Sequence, residues 1–185
     1  MKKLNWFGLR SYIFDRNLTI FTTRDIIQGF KTEKRTTEVY LTNYVKKGVI
    51  LRLKAGVFAL TDNIPHEFVM ANRICIPSYI SLDSALSYHK MIPESVYGIT
   101  SITSKATKEY EINGLSYTYN KIKKEAFFGY ELYETGKGRA YIATPEKALA
   151  DFLYFVKLGK RIYNDRIDKS KINSKLFNNY LKYVK

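Results

Sequence analysis

TTRDIIQGFKTEKRTTEVYLTNYVKKGVILRLKAGVFAL, residues 22–60, is the stretch that decides the fold of this chain. Thr22-Thr23-Arg24-Asp25 has the spacing of a capping box: a threonine hydroxyl accepts from a first-turn amide, and an acid three residues on reaches back. The helix this opens carries Ile26, Ile27 and Phe30 inward. A short basic turn leads to a second helix, in which Leu41, Tyr44 and Val45 fall three and four apart as a buried stripe. Arg35, Thr36, Asn43 and Lys46 then face solvent. The helix ends at Lys46-Lys47-Gly48, two lysines for its negative end and a glycine for the left-handed residue beyond it. Val49-Ile50-Leu51-Arg52-Leu53, the turn Lys54-Ala55-Gly56 and Val57-Phe58-Ala59-Leu60 read as a two-stranded ribbon. The pattern predicts a winged helix-turn-helix, which offers a helix and a cationic ribbon together to a duplex groove.

Around this stretch, composition narrows the class. The chain has 185 residues, 45% hydrophobic and 26% charged, values of an ordinary globular protein, yet its formal net charge is +14. Residues 1–62 carry 12 Lys/Arg against 5 Asp/Glu (+7), residues 63–154 carry 10 against 10 (zero), and residues 155–185 carry 9 against 2 (+7). Basic ends around a neutral block point to a polyanionic partner bound through counterion release. Cys75 is the only cysteine, so an intramolecular disulfide and a cysteine zinc site are excluded, and Ile74-Cys75-Ile76 marks it as a small buried hydrophobe. Met1-Lys2-Lys3-Leu4 opens no apolar run of signal-peptide length, and no segment approaches the roughly 18 apolar residues of a membrane span. A cytoplasmic location is the expectation.

Leu4, Trp6, Phe7, Leu9, Tyr12, Ile13 and Phe14 recur at helical spacing and predict a first helix covering the helix-turn-helix. Asn63-Ile64-Pro65 is the best boundary, giving a DNA-binding domain at 1–62 and a C-terminal domain at 63–185. Beyond it a helix through Phe68, Val69, Ala71 and Ile74 stops at Pro77, and another starts at Ser81. Ser95–Ala143 is β-like, with a hairpin cue at Asn113-Gly114 and a second turn at Gly136-Lys137-Gly138. Thr144-Pro145-Glu146 opens a helix whose face is Ala148, Leu149, Phe152, Leu153 and Phe155. Lys157–Lys185 is basic and helical in pieces. The fold class expected is α+β: a winged helix-turn-helix followed by a mixed domain of antiparallel strands flanked by helices.

Lys31, Lys34, Arg35, Thr36, Thr37 and Tyr40 are placed at the front of the recognition helix, the part that meets base edges. Arg35 is the residue there able to pair bidentately with guanine, while threonine and tyrosine hydroxyls serve bases or phosphates. Lys46, Lys47, Arg52 and Lys54 are assigned to the phosphate backbone at the helix end and wing. Catalysis finds no support. His66 and His89 read as cap or packing residues; Asp83, Glu94 and Asp151 have no metal-ligand spacing; Asp151 is expected to bond a neighbouring backbone group. Gly136-Lys137-Gly138 lacks the ending and context of a phosphate loop, and there is no nucleophile elbow. No catalytic residue, metal or cofactor is assigned. The many tyrosines of the β-like block are read as packing residues.

Three ordered blocks resemble the AbiEi-type antitoxins of bacterial abortive-infection systems: the helix-turn-helix with its wing Lys54–Leu60, Tyr79-Ile80-Ser81-Leu82-Asp83-Ser84-Ala85-Leu86-Ser87-Tyr88-His89, and Tyr141-Ile142-Ala143-Thr144-Pro145-Glu146-Lys147-Ala148-Leu149-Ala150-Asp151. Lys90 stands where relatives often have glycine. The resemblance implies a two-domain type IV antitoxin. Its N-terminal domain would bind inverted repeats of double-stranded DNA in its own operon promoter and repress it. Its C-terminal domain would oppose a nucleotidyltransferase toxin without a stable complex. The alternative is a non-enzymatic winged-helix module that contacts protein or RNA without sequence-specific DNA binding.

Overall fold

The computed structural model describes residues 4–183, which form two compact units, one up to His66 and one from Glu67 onward. The protein is mixed α+β, with seven α-helices and two sheets among the described residues.

The first unit runs α1 (Trp6–Asp15), β1 (Phe21–Thr22), α2 (Thr23–Phe30), α3 (Lys34–Lys46), β2 (Ile50–Lys54) and β3 (Val57–Leu60). The capping box forms as expected. The Asp25 amide donates to the Thr22 hydroxyl at 3.2 Å, and the Thr22 amide donates to the Asp25 carboxylate at 2.7 Å. Gly48 is left-handed, and the amide of Val49 returns to Tyr44 at 3.3 Å, closing the end of α3. The three strands pair antiparallel in the order β1-β3-β2, with an irregularity between Arg52 and Lys54. Leu9, Ile13, Phe21, Ile26, Phe30, Leu41, Ile50, Phe58 and Leu60 fill the core between helices and sheet. Full burial of each such side chain contributes roughly 1.5–3 kcal/mol. The first helix departs from expectation on one face. Leu9, Tyr12 and Ile13 are buried, and Trp6 stacks on Tyr44 at 4.8 Å, but Phe7 is 84% exposed and Phe14 is 48% exposed. Seven hydrophobic residues in eleven exceed what one stripe of a helix can bury, so these two turn outward, seven residues apart.

The second unit begins with α4 (Glu67–Ile74), β4 (Ser78–Ile80) and α5 (Leu82–Tyr88). It continues through β5 (Ile99–Thr103), β6 (Lys108–Ile112), β7 (Leu115–Lys121), a short 3-10 turn (Lys124–Ala126), β8 (Tyr130–Thr135) and β9 (Gly138–Ala143). Two helices, α6 (Pro145–Lys157) and α7 (Ser174–Tyr183), complete it. The Asn113-Gly114 hairpin is present, both residues at positive φ. The strands build one six-stranded sheet, β6-β7-β5-β4-β9-β8. Its topology corrects the antiparallel expectation: β4 pairs β9 in parallel and β5 pairs β7 in parallel. The β4–β9 pairing rests on a strand of three residues between Pro77 and Ser81, too short for any alternation to announce it.

Side chains alternate across β4, and this places the helices. Tyr79 bonds Asp151 of α6, whereas Ile80 shares its face with Ser101 and Tyr119, whose hydroxyl bonds Ala71 in α4 at 2.6 Å. The sheet is therefore covered by α4 on one face and by α6, with α5 beside it, on the other. The basic C-terminal segment is mostly exposed but tied to the rest of the unit at several points. Arg161 pairs with Asp83, Arg166 with Glu94, the Asp168 amide donates to Met91 at 2.7 Å, and the Asn173 amide donates to Glu146 at 3.0 Å. Tyr180 then packs against Gly129, where an added Cβ would lie 2.7 Å from the ring.

Candidate nucleic-acid interface

The sequence-selected residues lie on α3, the turn before it and the β2–β3 hairpin. Steps of three and four residues along α3 set one outward stripe, Thr36, Val39, Asn43 and Lys46, with Arg35 beside it; all five are exposed. Arg35 makes no ion pair among the described residues. Lys34 is exposed too, and its ammonium lies 3.9 Å from the Glu38 carboxylate one turn on. At the far end, Lys46 is free in solvent and Lys47 sits 4.9 Å from the Tyr44 ring.

Three expected contacts change role. Lys31 does not belong to the helix: it caps α2 in the left-handed conformation, at φ 52°, and is exposed in the turn. Thr37 is fully buried. Its hydroxyl donates to the Glu33 carbonyl at 3.0 Å and meets the Thr32 hydroxyl at 2.8 Å, so it closes the turn and is withdrawn from any base edge. Tyr40 turns toward Tyr44, ring centroids 4.7 Å apart, and its hydroxyl is buried. Burial of that hydroxyl, with Tyr44 beside it, raises its pKa. Thr37 lies on the far side of the helix from the stripe, whereas Tyr40, four residues after Thr36 and three before Asn43, flanks it and is only partly exposed.

Arg52 links the hairpin to the helix. Arg52 donates to the Thr42 hydroxyl at 2.9 Å, and its guanidinium lies 5.6 Å from the Phe58 ring. One bond leaves most of the five guanidinium N–H groups for another acceptor. Lys54 ends β2 opposite Val57 at the turn. Two further residues belong to this surface: Val39, 55% exposed, and Asn43. A branched methyl side chain suits the thymine methyl, and an amide suits the adenine edge. Helical phase from Arg35 and Thr36 was the signal that identifies them.

In the second unit the residues set aside for catalysis are all engaged. His89 caps α5 and its Nε2 meets the Ala143 carbonyl at 2.7 Å. The Cys75 thiol is buried and reaches the Thr103 hydroxyl at 3.5 Å. Asp151 bonds side chains, not backbone, which corrects the expectation: the Lys147 ammonium at 2.6 Å, the Ser81 hydroxyl at 2.8 Å and the Tyr79 hydroxyl at 2.9 Å. These four residues come from the second and third family-like blocks and meet in one buried network. Among the described residues no group of three or more His, Cys, Asp or Glu is placed to hold a metal, and no helix is long and apolar enough to cross a membrane. Compared with known proteins, the chain matches no protein-family model and no curated sequence.

Proposed function

We propose that residues 22–60 form a winged helix-turn-helix that binds duplex DNA, in a protein that represses its own promoter and acts as an antitoxin of the AbiEi type. The observation that carries the DNA-binding part is the outward stripe of α3, with Arg35 exposed, unpaired among the described residues, and next to a basic hairpin tethered through Arg52. A helix with a free guanidinium near its N-terminal end meets the requirement for reading a guanine in the major groove. The antitoxin part rests on the three ordered blocks; the buried network that unites Tyr79, Ser81, Lys147 and Asp151 gives two of them a common structural purpose.

A gel-shift titration of the full chain against the upstream region of its own reading frame tests the first part. Arg35→Ala is expected to weaken binding by about 1–3 kcal/mol and to relax preference at one base pair. Lys46→Ala should weaken all duplexes alike and reduce the salt slope by about one. Equal affinity for operator, random duplex and single strands would replace this function with a protein- or RNA-contact module. For the second part, co-expression with an adjacent nucleotidyltransferase gene should restore growth; failure to restore it removes the antitoxin role and leaves DNA binding standing.

A further inference from the structure

Arg35, Val39 and Asn43 stand four residues apart on α3 and form one ridge along its exposed side. Neighbours on such a ridge are about 6 Å apart along the helix axis, so the three side chains span about 12 Å. The core of the first unit takes Leu41 from this helix, with the half-buried Tyr40, Tyr44 and Val45 packed against it, whereas Val39 is 55% exposed. A branched Cβ also lowers helix stability, so Val39 serves neither the helix nor the core. The same helix presents Lys34 at its start and Lys46 and Lys47 at its end, all exposed. These ammonium groups suit phosphates. A surface built for phosphates alone has no use for a valine between a guanidinium and an amide.

The major groove of DNA does have a use for it. There guanine offers two acceptors to a guanidinium, thymine offers its C5-methyl, and adenine offers an acceptor and a donor to an amide. Successive base pairs are about 3.4 Å apart, so each step of about 6 Å on the ridge is close to two base pairs. We propose that Val39 reads a thymine methyl about two base pairs from the guanine under Arg35, and that Asn43 reads an adenine about two further on. This rests on the reading of α3 as the helix that enters the duplex, and it adds the order of the site: one G·C pair followed by A·T pairs. The same chemistry rejects RNA, since uracil has no methyl and the A-form major groove is too deep and narrow for side chains.

In the experiment the full chain selects duplexes from a random pool, and each thymine of the selected site is then replaced singly by deoxyuridine, which lacks only the methyl. One replacement, about two base pairs from the guanine whose preference Arg35→Ala relaxes, is expected to weaken binding about fourfold, the value of one buried methyl. With Val39→Ala that replacement should change nothing, because the methyl has already lost its contact. Asn43→Ala should lower discrimination at one A·T pair beyond that thymine about tenfold. Val39 and Asn43 are both exposed, so neither substitution touches the core, and the deoxyuridine scan of the unaltered chain decides even without them. A selected pool with no sequence preference overturns this inference together with sequence-specific DNA binding. A defined site in which every deoxyuridine is neutral, or in which the penalty persists in Val39→Ala, overturns this inference and leaves sequence-specific binding standing.

Discussion

Lys147 and Asp151 meet where almost no water reaches, 1% and 0% exposed, one turn apart on α6. Burial pushes the Asp151 carboxyl above its usual range, and the Lys147 ammonium with the Ser81 and Tyr79 hydroxyls pulls the other way. Desolvating each ion costs several kcal/mol, so the pair stands only because each member satisfies the other. Lys147→Met is therefore expected to destabilise by about 3–5 kcal/mol, as is Asp151→Leu, because each leaves one buried charge behind. The double variant should lose markedly less than the sum. Denaturant midpoints of the four proteins close the cycle, and additive losses would show that the two charges act separately. Neither the β4 partner of Asp151 nor the one just after that strand was legible in the chain, because Tyr79 and Ser81 lie 72 and 70 residues away and only the parallel sheet brings them in.

At the scale of elements, α2 rests on α1 through a contact that only glycine permits. An added Cβ on Gly29 would lie 2.3 Å from the Tyr12 ring, and that ring is held in place by a bond from its hydroxyl to the Asp25 carbonyl at 3.1 Å. Glycine to alanine inside an exposed helix gains up to about 1 kcal/mol from propensity, but overpacking a fixed ring costs about 1–3 kcal/mol. Gly29→Ala should thus lower stability, read as a lower denaturant midpoint at unchanged slope; a gain would mean that Tyr12 yields freely. Elements with strong local chemistry were legible in the chain: the Thr22–Asp25 box, the Asn113-Gly114 turn and the Thr144-Pro145 start all form. Elements defined by their neighbours were not. Three residues of β4 carry no period, and Thr37 looks like any polar residue of a helix start until the turn folds back on its hydroxyl. Phe7 and Phe14 misled in the other direction, since hydrophobicity alone does not say which face is covered.

For the whole molecule, alkaline pH separates folded from unfolded chain through its buried tyrosines. Burial raises the Tyr117 hydroxyl, with a smaller push from the Glu67 charge, to about 12, and burial raises Tyr79 and Tyr119 in the same direction. Unfolded tyrosine ionises near pH 10, so between pH 10 and 12 the native state holds protons that the unfolded state has released. The unfolded state then binds fewer protons, and stability falls as pH rises through that window. Each unit of separation is worth about 1.4 kcal/mol. Denaturant unfolding at pH 8 and near pH 11 should show the loss, with tyrosinate absorbance rising as the protein unfolds; equal stability at the two values would contradict it. Charge, too, reads differently at this scale. The basic end of the sequence was legible as a run of lysines and arginines, but Arg161 and Arg166 are committed to Asp83 and Glu94, so the run is partly a strap and not a free cationic tail.

The place of β4 between β5 and β9 has a consequence for the order in which the chain becomes functional. Synthesis runs from the N-terminus, and domains fold as units once they have emerged. The first unit is compact within the residues up to 66, and its strands pair within a span of forty residues, Phe21 to Leu60. The second cannot close its sheet until residues 138–143 arrive to flank a strand made some sixty residues earlier, nor bury Asp151 until α6 follows. Pairings this distant are slow to form. On the ribosome, then, the surface proposed to read DNA can be complete while the buried network around Asp151 does not yet exist, and a nascent chain would present the first unit before the second has formed.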